Sequence, residues 1–410
     1  MKTNHFNGSV AVVLLAAATV FCSCKRELAN LKSDTPLAEG GKLAKLLTGS
    51  TSSLATVGSS YTIPADTITD HGNAATTGSI AWYLATYSGG SVAQPNTFYL
   101  QKGSTYMCKR RLFIPANARI SQTGTGTQAL VKIDAASYND AGSNHEFIRM
   151  SSNSILLHFN IDLKWMPTNG IFIPTGADGA QLINITVQNG KRIPGGTSTL
   201  IYIVANNVTV TRCQLRRAGC DATEENTVQG GQMISVYGQD IEISHNNMAV
   251  SAQAGIGIQA SAKNITINKD TIYDTGRAAA TQDAITSYHV GTGTTNRNIV
   301  ITNCLIYNNR NHGIHVSGYG YTIMWNKVYN AGYSGPTGGY TGSHMGANIW
   351  LGDYKTPLDC SGNSTITNNE IGCSLGGGYV FKVTNYHSAS TTIQTGNICN
   401  NNKLISGTCN

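Results

Sequence analysis

Ile241-Glu-Ile243-Ser-His-Asn246 and, 24 residues on, Ile265-Thr-Ile267-Asn-Lys-Asp270 decide how this chain folds. Each is a short run that alternates apolar and polar residues and ends on a small polar one. Alternation of period two sends one set of side chains inward from a strand. The same pattern recurs at Val208-Thr-Val210-Thr-Arg-Cys213, Ile299-Val-Ile301-Thr-Asn-Cys304, Tyr321-Thr-Ile323-Met-Trp-Asn326 and Thr365-Ile366-Thr-Asn-Asn369. The step is 22 residues from Ile301 to Ile323, and 33, 34 and 43 elsewhere. Steps of 22–24 are the coils of a solenoid, and the longer steps carry loops out of it. Asn and Asp tolerate left-handed backbone, so the terminal residues Asn246, Asp270, Asn326 and Asn369 are expected to make the bends.

A second strand per coil is read at Ile171-Phe-Ile173, Ile201-Tyr-Ile203, Ile234-Ser-Val236, Ile256-Gly-Ile258, Ile285-Thr-Ser287, Ile314-His-Val316, Ile349-Trp-Leu351 and Val380-Phe-Lys382. One coil cannot bury its own apolar face, whereas stacked coils share a continuous core. The 45 glycines and only 12% charged residues suit such a chain. From about Tyr61 to the C-terminus it resembles the pectate-lyase-like right-handed parallel β-helix superfamily. Ser79 to Thr86 fits the capping helix of such proteins, and Phe98–Gly103 and Arg111–Pro115 fit their opening coils. The resemblance implies an all-β, right-handed parallel β-helix of three sheets, a solenoid of 22–24-residue coils with loop insertions. It implies less about chemistry, because one fold hosts many functions. Neither the Asp-rich signatures of the polygalacturonase-like glycosidases nor the Asp-Pro-His block of the alginate epimerases is found. Asn308 to His315 looks loosely like an epimerase coil.

Lys2, the apolar run Val10–Phe21 and then Ser23-Cys24 read as a signal peptide, too short to stay as a membrane span. The end of this run resembles a bacterial lipobox, which implies cleavage before Cys24 and lipidation of its sulfur. The expected organisation is a lipoprotein signal peptide over 1–23, a flexible tether over 24–60 and a β-helix with an N-terminal cap over 61–410. The protein would then be an outer-membrane lipoprotein of the cell envelope, monomeric and touching the membrane through its lipid alone. Oxidising surroundings permit disulfides, and Cys360 with Cys373 and Cys399 with Cys409 are near enough in sequence to pair. Cys213 and Cys304 occupy equivalent repeat positions and read as buried thiols. No C-x-x-C pair suggests zinc.

The net charge of +7, or +6 once Lys2 is removed, favours anionic partners. No basic run interleaved with aromatics suggests nucleic acid. The expected partner is an anionic polysaccharide. Read down the second strands, the outward row is Phe172, Tyr202, Ser235, Gly257, Thr286, His315, Trp350 and Phe381, with Tyr237, Tyr288 and Lys382 beside it. Sugar rings stack on aromatic faces, which makes Tyr202, Tyr237, Trp350 and Phe381 substrate-binding candidates, together with His312 and His344. Loops entering this wall carry Arg216, Arg217, Asp221, Glu224 and Glu225, then Asp274, Arg277 and Asp283, then Arg310 and His312.

Arg277, Asp283, Tyr288, His289, Arg310 and His315 are accordingly the candidate catalytic set. For β-elimination on a uronic-acid polymer, Arg277 or Arg310 neutralises the carboxylate, His289 or His315 takes the C5 proton, and Tyr288 serves the leaving oxygen. Ca²⁺ is a cofactor the resemblance to lyases allows, but no Asp/Glu cluster for it is found, so no metal ligand is assigned. An inverting glycoside hydrolase is the alternative, with Glu225 and Asp283 two coils apart, roughly 9.6 Å by the rise between strands. A non-catalytic glycan-binding surface is the third reading. Ser317 lacks a nucleophile elbow, and Gly376–Gly378 lacks the lysine of a phosphate loop.

Overall fold

Asn184, Arg212, His245, Lys269, Asn303, Trp325 and Asn368 all have φ between 52° and 59°, one residue per coil at the same corner. Each sits just before the terminal residue of a repeat, so the expected bend lies one residue earlier than the sequence reading had it. The Asn and Asp side chains instead build an internal ladder. Asn246 takes the Cys213 N–H on its Oδ1 (2.8 Å) and gives its Nδ2 to the Val210 carbonyl (3.0 Å). Asn326 does the same for Cys304 and Ile301. These bonds satisfy backbone groups that a sharp corner would leave buried and unpaired. Further left-handed residues at Asn189, Arg217, Val250, Asp274, Asn308 and Asn330, and at Asn207, Asp240, Asn264 and Asn298, mark the other two corners.

The computed structural model describes residues 58–64, 76–138, 145–193, 198–219, 230–277, 283–287, 296–332, 346–352 and 363–372. It also describes the strand backbones Tyr379–Val383, Thr392–Ile393, Ile398–Cys399 and Leu404–Ile405. All belong to the unit Ala55–Asn410. Cys24, Asp221, Glu224, Glu225, Tyr288, His289, His344, Cys360, Cys373, Cys409 and the side chain of Cys399 lie outside the described residues.

One coil runs Lys263–Asn268, Thr271–Tyr273, Ile285–Ser287; the next runs Asn296–Thr302, Leu305–Tyr307, Ile314–Val316. The three strands of a coil go to three different sheets, of twelve, eleven and eleven described strands. Every strand–strand pairing within them is parallel, as between Lys263–Asn268 and its neighbours on either side. The expected three parallel sheets are therefore present. The strand between the two expected in each coil, such as Thr271–Tyr273 or Leu305–Tyr307, was not read from the sequence.

Ile171, Ile201, Ile234, Ile256, Ile285, Ile314 and Ile349 stack in register inside the third sheet, each fully buried. Each such side chain removed from water contributes about 1.5–3 kcal/mol, which is what holds a parallel ladder of short strands together. Cys213 and Cys304 are buried free thiols, as expected, and burial pushes the Cys213 thiol up to about 12. The helix Ile80–Thr86, N-capped by the Ser79 hydroxyl on the Trp82 N–H (3.0 Å), buries Ile80, Ala81 and Leu84. No helix among the described residues is long and apolar enough to cross a membrane.

Candidate functional site

The third sheet is the wall on which the candidate residues fall. Its strands are paired residue for residue, so its outward column can be read directly. It runs Phe113, Arg149, Phe172, Tyr202, Ser235, Gly257, Thr286, His315 and Trp350, and the backbone of Lys382 holds the next register position. The last step corrects the sequence reading. Phe381 pairs with the inward Ile349, and Lys382 follows Trp350. The strand is Tyr379–Val383, one residue longer at each end than the triplet taken from the sequence, and the triplet's centre was set one residue early.

Ser235, Gly257 and Thr286 are small, and larger side chains stand on either side of them. They make a low stretch of the column, a trough between Tyr202 and His315 that is four rungs or about 19 Å long by the strand spacing, and all three are buried. At the Tyr202 end is a cavity of about 440 Å³, lined by Asn169, Thr199, Tyr202, Gln232, Ser235, Tyr237, Gln253 and Gln259. Tyr202 stacks on Phe172 (5.2 Å, 19°) and meets Tyr237 edge-on (5.3 Å, 86°). Arg149 lies over the far side of Phe172. Burial, and then the Tyr237 hydroxyl bonded to it, push the Tyr202 phenol up to about 12.

The other end holds a bonded cluster. Asp283 is 1% exposed. Its Oδ1 accepts from Asn311 Nδ2 (2.8 Å) and the His312 N–H (3.1 Å), and its Oδ2 lies 3.0 Å from His315 Nδ1. His315 Nε2 lies 3.0 Å from the Gly352 carbonyl. Both ring nitrogens thus face oxygen acceptors, a carboxylate on one side and a backbone carbonyl on the other. Trp350 stacks on the His315 ring (4.1 Å, 5°), and His312 meets both edge-on.

Burial alone would raise the Asp283 carboxyl, but His312, His315 and their hydrogen bonds outweigh it and hold it below the usual carboxylate range. His312 takes the Ala347 N–H on its Nδ1 (2.7 Å) and so lacks a proton there. The downward direction therefore rests on His315 and on the donors to Asp283.

Asp283, His312, His315 and Trp350 converge as the sequence suggested, but they are less open than expected. Trp350 is 0% exposed and cannot offer a face to a sugar. Arg310 is 5% exposed and gives its Nη1 to the Arg277 carbonyl. Arg277, with a side chain 14% exposed, pairs loosely with Asp274 at 3.8 Å. Phe113, at 55%, and Tyr237, at 36%, are the open aromatics of the wall among the described residues, and Tyr237 is the one at the cavity.

The sequence reading missed Gln232, Gln253 and Gln259, which belong to no motif, and Arg297. Buried Arg297 donates to the Gln259 and Ala262 carbonyls, the Ser287 hydroxyl and the Tyr321 hydroxyl, tying the corner beneath the trough to the cavity's rim. Among the described residues no group of three or more His, Cys, Asp or Glu is placed to hold a metal ion, so they do not fit a Ca²⁺ site.

A family model described as a right handed beta helix region matches residues 143–340. No curated protein matches the chain in sequence. Among solved structures, the Dettilon tailspike protein aligns with a TM-score of 0.59 at 15% identity, over 85% of this chain and 68% of that one. A rhamnogalacturonan lyase aligns with a TM-score of 0.57 at 11% identity, over 83% and 87%. The A-module of an Azotobacter vinelandii mannuronan C-5 epimerase aligns with 0.51 at 14%, over 85% and 95%. At these identities the likeness is one of fold. The chain is an all-β right-handed parallel β-helix, as its resemblance to pectate-lyase-like proteins implied.

Proposed function

We propose that this protein is carbohydrate-active, that a polysaccharide lies along the trough of the third sheet, and that it cleaves a uronic-acid-containing polymer by β-elimination. The observation that carries the reading is the buried Asp283 carboxylate aligned on His315, at one end of the row of small residues that has the cavity at its other end. A carboxylate that orients a histidine is the usual way to hold a proton-transfer group in place. Two acceptors around the His315 ring favour the proton-donor role over the base role. In this reading His315 Nε2–H passes from the Gly352 carbonyl to the leaving glycosidic oxygen. Asp283 is the positioning residue, and His289 takes the C5 proton. Arg277, beside the cluster, meets the uronate carboxylate. The neighbours on this fold named for acting on rhamnogalacturonan and mannuronan support a sugar polymer as partner.

A panel of pectate, rhamnogalacturonan, alginate and glycosaminoglycan tests this. New reducing ends accompanied by ultraviolet absorbance from an unsaturated uronate are expected on one of them. Reducing ends without that absorbance would indicate a hydrolase. Binding without cleavage would indicate a glycan-binding surface, a second reading favoured by the closed packing of Trp350 on His315.

The same reading makes the chain an exported lipoprotein anchored through Cys24, with the β-helix held off the membrane by the segment that follows. Wild type is expected to partition into detergent and Cys24→Ser into the aqueous phase. A mutant that stays in detergent would place the anchor elsewhere.

A further inference from the structure

The two ends of the trough differ in chemistry. The Asp283–His315 end carries charge. The cavity at the other end has four amide side chains and four hydroxyls, and none of its described lining residues is charged. We propose that this cavity is a subsite for an uncharged sugar unit, so that the polymer handled here is not a pure polyuronate. The proposal rests on the reading that a polysaccharide occupies the trough.

An amide presents a donor and an acceptor side by side, matching the vicinal hydroxyls of a neutral sugar. A uronate in the same place would bring its carboxylate in without a cation among the described lining residues, which disfavours it. Tyr202 points the same way. Its phenol, pushed up to about 12, remains a neutral donor across the working pH range. The exposed ring of Tyr237 supplies a face for the sugar to stack on. The volume of about 440 Å³ lies in the range of small-ligand sites.

A built feature of the wall supports the assignment. A Cβ on Gly257 would come within 2.6 Å of the Gln232 Oε1, so the glycine in the column is what leaves this amide room. The group in the way is the movable end of a side chain. Gly257→Ala therefore displaces the amide without forcing the backbone, and is a probe that folds.

The test is equilibrium binding of matched tetrasaccharides to the full chain: galactose against galacturonate, glucose against glucuronate, mannose against mannuronate. The members of each pair differ only at C6. The neutral member of at least one pair is expected to bind more tightly than its uronate. Gln232→Ala and Gly257→Ala should each weaken that neutral binding by about tenfold, the loss of one or two hydrogen bonds, while melting as wild type does. Uronates that bind while every neutral sugar fails would overturn the subsite and leave the trough reading standing. Neutral binding unchanged in both variants would overturn it too, as would no binding in any pair, which would also remove the trough reading. Neutral binding as expected with no turnover of any uronate polymer would uphold the subsite and remove the lyase.

Discussion

Asp270→Asn is expected to stabilise this protein by roughly 2–4 kcal/mol at neutral pH, because one ionisable group stands in a ladder built for amides. Asp270 is buried in the interior stack between Asn246 and Cys304 and accepts the Asn246 N–H (2.7 Å) and Nδ2 (2.9 Å) on its Oδ1. Its Oδ2 is buried with no hydrogen-bond partner among the described residues. At the equivalent places, Asn246, Asn326 and Asn369 give their Nδ2 to the carbonyls of Val210, Ile301 and Ile323. By the same offset Asp270 should face the Ile243 carbonyl, which an amide or a protonated carboxyl can satisfy and a carboxylate cannot.

Burial, opposed by the two Asn246 bonds and reinforced by Glu242, pushes the Asp270 carboxyl up to about 7. A carboxyl raised on folding favours the fold while it is protonated. That contribution is whole below the unfolded value near 3.8 and is lost as pH rises to about 7. The gain from Asp270→Asn should therefore be small at acid pH, grow across that window and then level off. Denaturant melts at several pH values test it. A gain independent of pH, or a loss at neutral pH, contradicts it.

Asp283→Ala should act in the opposite direction, lowering stability by about 3–5 kcal/mol, the usual result of removing one partner from a buried pair. Three donors would lose their acceptor: Asn311 Nδ2, the His312 N–H and His315 Nδ1. Asp283 is held below the ordinary carboxylate range, so its stabilisation is present above the unfolded value and is lost as pH falls through the folded one. Asp270 and Asp283 thus have opposite pH signatures although both are fully buried. The difference is the company: amide donors and no cation for one, a histidine for the other. Because Asp283→Ala can fail by unfolding alone, Asp283→Asn is the companion. It keeps the shape, should remain folded, and should lose turnover of any polymer the wild type cleaves. An Asp283→Asn protein that keeps the wild-type rate and pH profile would leave the pair a structural one.

The solenoid was legible because its cause is local. Isoleucines at fixed offsets specify the inward columns, and Ile241/Ile243 and Ile265/Ile267 pair as the sequence aligned them. The small-residue floor at Ser235, Gly257 and Thr286 was legible for the same reason. Phe381 shows the limit of that reasoning. Val380-Phe-Lys alternates acceptably in either frame, and only the hydrogen-bonded pairing with Ala347–Leu351 decides it. Trp350 shows another limit, because parity reports the side of a sheet and not what covers it. The cavity was legible only in part. Tyr202 and Tyr237 stood out as aromatics, but Gln232, inside the strand Gly231–Val236, and Gln253, at a corner, did not, because glutamine carries no spacing signature; Gly257, alone without a side chain in the outward column, was the further signal.

Where a glycan lies is measured directly by a crystal structure of the full chain with a bound oligosaccharide from the best binder. Sugar rings are expected over Ser235, Gly257 and Thr286, with one ring against Tyr237 and Gln232 and the chain running toward His315. A glycan on either of the other two sheets, or one that leaves this trough empty, would contradict this placement.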